Sequence, residues 1–264
     1  MTRVRLGAVS YLNARPLVVG LDRHPRFDLR FDIPSRCAAL LHEGSIDAGL
    51  IPSIEYLRPS EGQTRYRIVP TVAIASRGPV ASVALFTKRP VADVRSIALD
   101  TSSRTSVALT RVLCARAFRI DPSLEASGPD LPAMLDRCDA ALLIGDSALL
   151  SEGPKDVEKI DLGDRWTKLT GLPFVYAFWA GRADALTGAD IRILQEARDA
   201  GVAKPEHVAG QYFSDPALQA IGARYLQDNI KYDLGDPERA GLETFYRYAA
   251  ELGLVSDAGE LRFF

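Results

Sequence analysis

The stretch Val9–Leu17 reads V-S-Y-L-N-A-R-P-L and continues the apolar run that begins at Val4. The change from apolar to small polar residues predicts a first strand that runs directly into a helix over Ala14–Leu21. Asn13 stands at the predicted N-cap, and Pro16 falls in the first turn, where its missing N–H costs nothing. A helix start at the carboxyl edge of a sheet is where open α/β folds bind anions. The alternative is an ordinary capped helix whose polar residues satisfy only its own backbone.

The composition is that of an ordinary soluble globular protein. The chain has 264 residues, of which 47% are hydrophobic and 25% are charged. This length is enough for one large domain or for two lobes with separate cores. The formal net charge of -2 gives no electrostatic basis for binding nucleic acid or an anionic membrane. No run approaches the roughly 20 apolar residues of a membrane span.

The cysteines and the N-terminus both favour the cytoplasm. Cys37, Cys114 and Cys138 lie far apart without a CxxC pair, which favours buried, reduced thiols over disulfides. Arg3 and Arg5 are followed within a few residues by further polar residues, so no signal peptide is predicted. The oligomeric state is left open between monomer and homodimer.

Strands and helices alternate in the first third of the chain. The alternating segment Phe27–Ile33, F-D-L-R-F-D-I, predicts a strand. A helix is predicted over Arg36–His42, a short buried strand over Asp47–Ile51, and another strand over Ile68–Ile74. A β-α-β-α-β order of this kind predicts a parallel sheet covered by helices.

A second set of strands follows in the middle of the chain. Strands are predicted over Val80–Thr87, Ile97–Leu99 and Ala140–Ile144, with a helix over Val107–Phe118. The segment Asp121–Pro132 is predicted to be a loop.

The last part of the chain predicts helices. Strands over Val157–Leu162 and Phe174–Ala180 precede a region, from Gly188 onward, that predicts four helices and no strand. The whole pattern predicts two α/β lobes of mixed sheets with flanking helices and a helical C-terminal region. We expect a discontinuous first lobe, 1–79 plus 175–264, and an inserted second lobe, 80–174, with the ligand in the cleft between them.

Four junctions share one order: a strand end, small polar residues and a helix start. Since such junctions of a parallel sheet lie on one edge, several of them are expected to line one cleft. Hydroxyls and helix N-termini there suit carboxylates or phosphates, although Ser and Thr are also simply the best N-caps. The candidate binding residues at these junctions are Ser10, Tyr11, Asn13, Arg15, Ser35, Ser53, Ser103, Arg104, Thr105 and Ser106.

Familiar catalytic motifs are missing, since the sequence has no GxGxxG, GxxxxGK[ST], GxSxG or HExxH. His24, His42 and His207 do not follow predicted strands and show no metal spacing, so surface or packing roles are expected. Glu55 and Asp146 are the carboxylates nearest predicted strand ends and are candidate general bases. Asp146 can equally cap the helix that follows it.

The stretch at 9–17 resembles the opening motif of chorismate dehydratase, an enzyme of the futalosine pathway to menaquinone. Four later stretches resemble the family's later motifs in the same order: P-S-R-C-A-A-L-L (34–41), G-S-I-D-A-G-L-I-P-S-I-E-Y (44–56), D-T-S-S-R-T-S (100–106) and L-L-I-G-D (142–146). The resemblance implies a fold like that of a type 2 periplasmic binding protein, with the active site in its cleft. A sister enzyme, dihydroxynaphthoate synthase, carries a histidine where this chain has Gly145-Asp146, which favours the dehydratase.

The resemblance implies loss of water from chorismate to give 3-[(1-carboxyvinyl)oxy]benzoate, with no cofactor or metal. Asn13 and Ser82 match the family's cleft asparagine and serine and are the expected catalytic residues, with Ser82 on the predicted strand after Gly78-Pro79. The dianionic substrate is expected to rest on the candidate binding residues, with Gly145 and Asp146 beside them. The expected base is the substrate's own enolpyruvyl carboxylate, held within reach by the protein, and Asp146 is its rival.

Two other classes of protein use related folds. A solute-binding receptor for a small anion is expected to carry an export signal or a lipid-anchor cysteine, and neither is seen in the sequence. A ligand-sensing regulator is expected to begin with a helix-turn-helix, whereas this chain begins with a predicted strand. The sister synthase is the nearest enzyme alternative.

Overall fold

The computed structural model describes residues 3–58 and 66–264. Within these residues the strands form two five-stranded sheets. The strands are β1 (Val4–Val9), β2 (Phe27–Asp32), β3 (Ala48–Pro52), β4 (Arg67–Ser76), β5 (Val83–Thr87), β6 (Ser96–Asp100), β7 (Ser123–Ser127), β8 (Ala140–Ile144), β9 (Glu158–Asp161) and β10 (Phe174–Gly181).

The first sheet has the strand order β2-β1-β3-β10-β4. β1 pairs in parallel with both β2 and β3, as the β-α-β-α-β pattern predicts. β10 runs antiparallel to β3 and β4. The chain therefore leaves this sheet after β4 and returns to its interior with β10, whose eight residues are all buried.

The second sheet has the order β7-β6-β8-β5-β9. β6 pairs in parallel with β7 and β8, whereas β5 runs antiparallel to β8 and β9. The carboxyl ends of β1 and β3 in the first sheet and of β8 in the second all contribute residues to one cleft. The structure thus gives a two-lobe α/β fold with mixed sheets, as predicted.

Helices cover the sheets and form the last part of the chain. They are α1 (Pro34–His42), α2 (Arg104–Leu113), α3 (Leu131–Arg137), α4 (Gly145–Leu150), α5 (Leu162–Thr170), α6 (Gly188–Val202), α7 (Pro205–Tyr212), α8 (Pro216–Arg224) and α9 (Asp236–Glu251). Single π-helical turns extend α2 over Cys114–Phe118 and α8 over Tyr225–Asn229. No described helix is both long enough and apolar enough to cross a membrane.

An aromatic cluster forms much of the core where α5, α9 and β10 meet. The ring of Trp166 lies 5.1 Å from that of Phe174, which in turn lies 4.9 Å from Phe245. The Trp166 indole N–H donates to the carbonyl of Pro173 at 3.0 Å, so the one polar atom of this ring is satisfied. This cluster joins the returning strand to the C-terminal helix.

The segment after β1 differs from its prediction. It forms a 3-10 helix over Leu12–Val18, not a helix over Ala14–Leu21, and Tyr11 stands at the N-cap without a side-chain cap bond. Asn13 therefore lies inside this helix and does not cap it. Pro16 lies inside this segment, where its ring would clash with the carbonyl four residues earlier in a regular α-helix, which disfavours that form.

Two further predictions about the middle of the chain are wrong. β5 begins at Val83 because Ala81 has a left-handed φ of 63°, which ends any extended run through 80–82. Ser82 therefore precedes the strand. The segment Asp121–Pro132 contains an edge strand, β7, whose residues are almost all exposed and bury no apolar face. Backbone pairing to β6 holds this strand in the sheet. Such pairing cannot be recognised from side-chain periodicity.

The cysteines agree with their prediction. Cys37, Cys114 and Cys138 are all buried, and none forms a disulfide. Burial raises the pKa of the Cys37 and Cys114 thiols to about 12, so both remain protonated near neutral pH.

Candidate active site

A narrow cleft lies between the two sheets, and clefts between lobes are a common location of small-molecule sites. It is lined from the first sheet by the ends of β1 and β3 and from the second by the end of β8 and the start of β5. The described lining residues include no charged side chain. The polar ones are Tyr11, Asn13, Ser82, Ser103, Ser106 and Tyr176.

Asn13 presents an unpartnered oxygen in this cleft. Its Oδ1 is buried and finds no hydrogen-bond partner among the described residues. Its backbone carbonyl, by contrast, accepts a hydrogen bond from the Tyr232 hydroxyl at 2.9 Å. Because buried polar atoms are almost always paired, this amide oxygen is suited to accept a hydrogen bond from a bound ligand.

Ser82 is held from several sides. It is 1% exposed, and its Oγ accepts a hydrogen bond from the Tyr225 hydroxyl at 2.7 Å. Its carbonyl accepts from the Gly145 N–H at 2.8 Å. The serine therefore faces the cleft in a fixed position. Burial raises the pKa of Tyr225.

The N-terminus of α2 contributes hydroxyl groups to the cleft. Ser103 is its N-cap, and its Oγ accepts from the Ser106 N–H at 3.4 Å and from the Ser106 hydroxyl at 3.0 Å. Both serines line the cleft. The positive end of the helix dipole is thus next to this space, where it stabilises negative charge without a charged side chain.

Gly145 leaves room for the ring of Tyr11, which lines the cleft. It has a left-handed φ of 61°, and a Cβ added there would lie 3.1 Å from ring carbons of Tyr11. The Tyr11 hydroxyl donates to the Ser102 Oγ across the cleft at 3.2 Å. Burial raises the pKa of Tyr11, so its phenol remains a neutral donor.

Asp146 lies behind the cleft and joins its two sides. Its Oδ1 accepts from the Leu12 N–H at 3.3 Å, and its Oδ2 accepts from the Tyr212 hydroxyl. Burial raises the pKa of this carboxyl, although both hydrogen bonds act to lower it. Asp146 does not cap a helix that starts after it, because α4 already begins at Gly145.

Four predicted binding residues have local structural partners outside the lining of the cleft. Ser53 donates to the Val175 carbonyl at 2.8 Å, and Thr105 accepts from the Ile54 N–H at 3.2 Å. The backbone N–H of Ser10 donates to the Asp32 carbonyl, and that of Ser35 donates to the Ser102 carbonyl. These contacts satisfy backbone groups and hold neighbouring segments together.

The two predicted binding arginines also point elsewhere. Arg104 forms an ion pair with Glu55 at 2.5 Å. The Arg15 guanidinium lies 4.3 Å from the centre of the Phe31 ring and 5.2 Å from that of Tyr212, and it lines a separate cavity. These are cation–π distances.

Glu55, a candidate base, is fully buried beside Arg104, Arg58 and His42. Burial acts to raise its pKa, but His42, Arg104 and Arg58 more than offset this, and the pKa of Glu55 is lowered. His42 contacts Glu55 at 3.3 Å. Within residues 3–58 and 66–264, no group of three or more His, Cys, Asp or Glu side chains is arranged to hold a metal ion.

Two residues of the site were missed by sequence reasoning. Tyr176 lines the cleft from β10, and Tyr225 reaches Ser82 from the end of α8. Both lie far along the chain from the polar junctions. No sequence signal separates them from the other core tyrosines.

The fold and the cleft define a class: a two-lobe α/β protein of the periplasmic-binding-protein fold. The periplasmic aliphatic sulphonate binding protein SsuA from Escherichia coli is similar with a TM-score of 0.66 at 19% identity, covering 98% of this chain and 95% of that chain. Within this class, the chain belongs to the family described as Menaquinone biosynthesis, whose model matches residues 4–251.

Two curated relatives are similar along nearly their whole lengths. A Thermus thermophilus protein named chorismate dehydratase is 33% identical, covering 94% of this chain and 95% of the relative. A Campylobacter jejuni protein of the same name is 27% identical, covering 94% and 99%.

Proposed function

We propose that this chain is a chorismate dehydratase of menaquinone biosynthesis, a lyase that removes water from chorismate. The observation that carries the proposal is the 33% identity, over 94% of the chain, to the Thermus thermophilus chorismate dehydratase. The uncharged cleft supports it. Chorismate is a small dianion, and the cleft offers hydroxyl donors and the positive end of α2.

The reaction balances without an added reactant. A proton leaves the ring carbon that bears the enolpyruvyl ether, its electron pair forms the last ring double bond, and the ring hydroxyl departs with the electrons of its C–O bond. The proton and the hydroxyl together make one water. The tasks left to the protein are to bind the two carboxylates, to orient the hydroxyl and to place a base near the proton.

Asn13 and Ser82 are assigned to the departing hydroxyl. The unpartnered Oδ1 of Asn13 is suited to accept the proton of that hydroxyl in a hydrogen bond, which fixes its direction. The Ser82 hydroxyl is suited to donate to its oxygen, and this contact strengthens as negative charge develops there. Ser103 and Ser106, at the start of α2, are assigned to a carboxylate.

The base is the enolpyruvyl carboxylate of the substrate. Both carboxylates of the protein that were candidates have other partners: Glu55 is paired with arginines, and Asp146 accepts from Leu12 and Tyr212. An internal carboxylate needs no charged residue in the lining and gains from being held close to the proton.

The cleft in this proposal is enclosed by a first lobe, 1–79 plus 175–264, and an inserted second lobe, 80–174. Support comes from the strands, since those of the first sheet fall before 77 and after 173 and those of the second between 83 and 161.

We assign the activity to the cytoplasm, which agrees with three cysteines that are buried without disulfides.

The test is turnover by the purified protein after treatment with a chelator. Chorismate is added without cofactor, and the product is followed by chromatography and ultraviolet absorbance. The proposal predicts stoichiometric conversion to 3-[(1-carboxyvinyl)oxy]benzoate. Binding of chorismate without conversion would overturn it in favour of a small-anion receptor, and the absence of both would direct the test to the substrate of the sister synthase.

A further inference from the structure

Tyr225 contacts one of the two residues assigned to the departing hydroxyl. Its Oη lies 2.7 Å from the Ser82 Oγ and donates to it. Tyr225 is 3% exposed and does not line the cleft itself, so it acts on any bound ligand only through its neighbours.

The hydrogen bond to Ser82 fixes where the serine proton can go. A tyrosine hydroxyl has one proton to give, and Tyr225 gives it to the Ser82 Oγ. The Ser82 hydroxyl therefore cannot also donate its own proton to Tyr225. It is left to donate toward the cleft that Ser82 lines.

The backbone around Tyr225 is also unusual. α8 ends at Arg224, and Tyr225 is the first residue of a π-helical turn that extends to Asn229. Single π turns are rare and occur frequently at functional sites, where they shift a side chain relative to a regular helix.

We propose that Tyr225 is a positioning residue that orients the Ser82 hydroxyl as a donor toward the departing hydroxyl. This inference rests on the proposed dehydratase function. A merely structural tyrosine would contribute to packing, and its hydroxyl would matter only for stability.

The test compares Tyr225→Phe with Tyr246→Phe. Tyr246 is equally buried, and its hydroxyl donates to the Ser53 carbonyl, which does not line the cleft. Unfolding midpoints are measured first, and kinetics are recorded well below all of them. We expect Tyr225→Phe to lower kcat for chorismate by about 10- to 100-fold with KM changed by less than about threefold, because the lost interaction acts in the transition state. Tyr246→Phe should leave both constants near the wild-type values.

A double-mutant comparison separates positioning from structure. In a Ser82→Ala background, Tyr225→Phe should cost less than about threefold further in kcat, because the group that it orients is already gone. An unchanged kcat in Tyr225→Phe, or a loss that multiplies fully with that of Ser82→Ala, would overturn the inference while the wild-type enzyme still turns over. A wild-type enzyme that does not convert chorismate would overturn the proposed function, and this inference with it.

Discussion

Asp146 is the residue on which the choice of base depends. It is the carboxylate next to the cleft, and burial raises its pKa, as is common for catalytic bases. Both of its oxygens nevertheless accept hydrogen bonds from the opposite side of the cleft, from Leu12 and Tyr212. This geometry favours a link between the two lobes over a base.

We expect Asp146→Asn to retain turnover. The asparagine can still accept from Tyr212, and the proton acceptor in this account belongs to the substrate, so kcat should fall by less than about tenfold. A protein general base contributes about 100- to 10,000-fold. A loss of kcat of about 100-fold or more, measured on a variant with a wild-type circular dichroism spectrum, would make Asp146 the base.

The individual side chains of the site could be predicted only in part. Asn13 and Ser82 follow from the family motifs, but the unpartnered oxygen of Asn13 and the bond from Tyr225 to Ser82 need three dimensions. The sequence predicts that Arg104 binds a carboxylate of the substrate, whereas the structure pairs it with Glu55. A position near a strand end does not determine which way a long charged side chain points.

At the scale of elements, α6 sets the position of the segment that carries Asn13. A Cβ added at Gly201 of α6 would lie 2.2 Å from the carbonyl oxygen of Pro16 and 2.4 Å from its Cα. Backbone atoms cannot yield as a flexible side chain can. The 3-10 helix therefore packs against α6 at a distance that only glycine allows.

We expect Gly201→Ala to lower the free energy of unfolding by about 1–3 kcal/mol, as overpacking does, and to reduce turnover by displacing Asn13. The matched control is Gly210→Ala in α7, where an added Cβ has only a 3.9 Å neighbour. That change should be neutral or stabilising by up to about 1 kcal/mol. Urea unfolding of both variants measures the difference, and equal stabilities would contradict this account of the packing.

The start of α6 gives a prediction about pH. Asp190 forms a capping box with Thr187, and Arg26 donates to both of its oxygens at 2.7 and 2.9 Å. These contacts lower the pKa of Asp190 from 3.8 to about 2, and the hydrogen bonds from Arg26 have the largest effect. Since the pKa is lower in the folded state, the carboxylate stabilises the fold above about pH 4, and this contribution is lost as the pH falls toward 2.

Asp190→Asn should therefore lower the free energy of unfolding by about 1–2 kcal/mol at pH 7 and by about half as much at pH 3. Asp199→Asn, an exposed change on the same helix, should stay within about 0.5 kcal/mol at both values. Urea denaturation at the two pH values measures both variants. A loss in Asp190→Asn that is the same at pH 7 and pH 3 would show that the charge does not matter.

Elements with strong patterns were predictable, and those held by backbone contacts were not. The parallel unit β1-β2-β3 and the closing helices follow from apolar periodicity and from prolines such as Pro205 and Pro216 at helix starts. The 3-10 helix over Leu12–Val18 and the edge strand β7 depend on Pro16 and on pairing with β6.

At the scale of the whole molecule, the cleft is built from segments far apart in the chain. Tyr11 of the first side contacts Ser102 of the second, and Asp146 of the second contacts Leu12 of the first. The two-lobe class follows from the sequence because β-α-β units recur on either side of residue 80. The surroundings of the cleft do not, because Tyr176 of β10 lines it and Tyr225, the residue after α8, bonds to Ser82, and both lie far along the chain from the polar junctions.

The most direct test of the account measures kcat for chorismate in the wild-type protein, Asn13→Ala and Ser82→Ala. The control is Ser147→Ala, an exposed change in α4 that does not line the cleft. We expect wild-type turnover to the enolpyruvyl benzoate, losses of about 100-fold or more in both cleft variants, and no loss in the control. Cleft variants that keep wild-type kcat while the wild-type enzyme is active would place the chemistry outside this cleft and contradict the account.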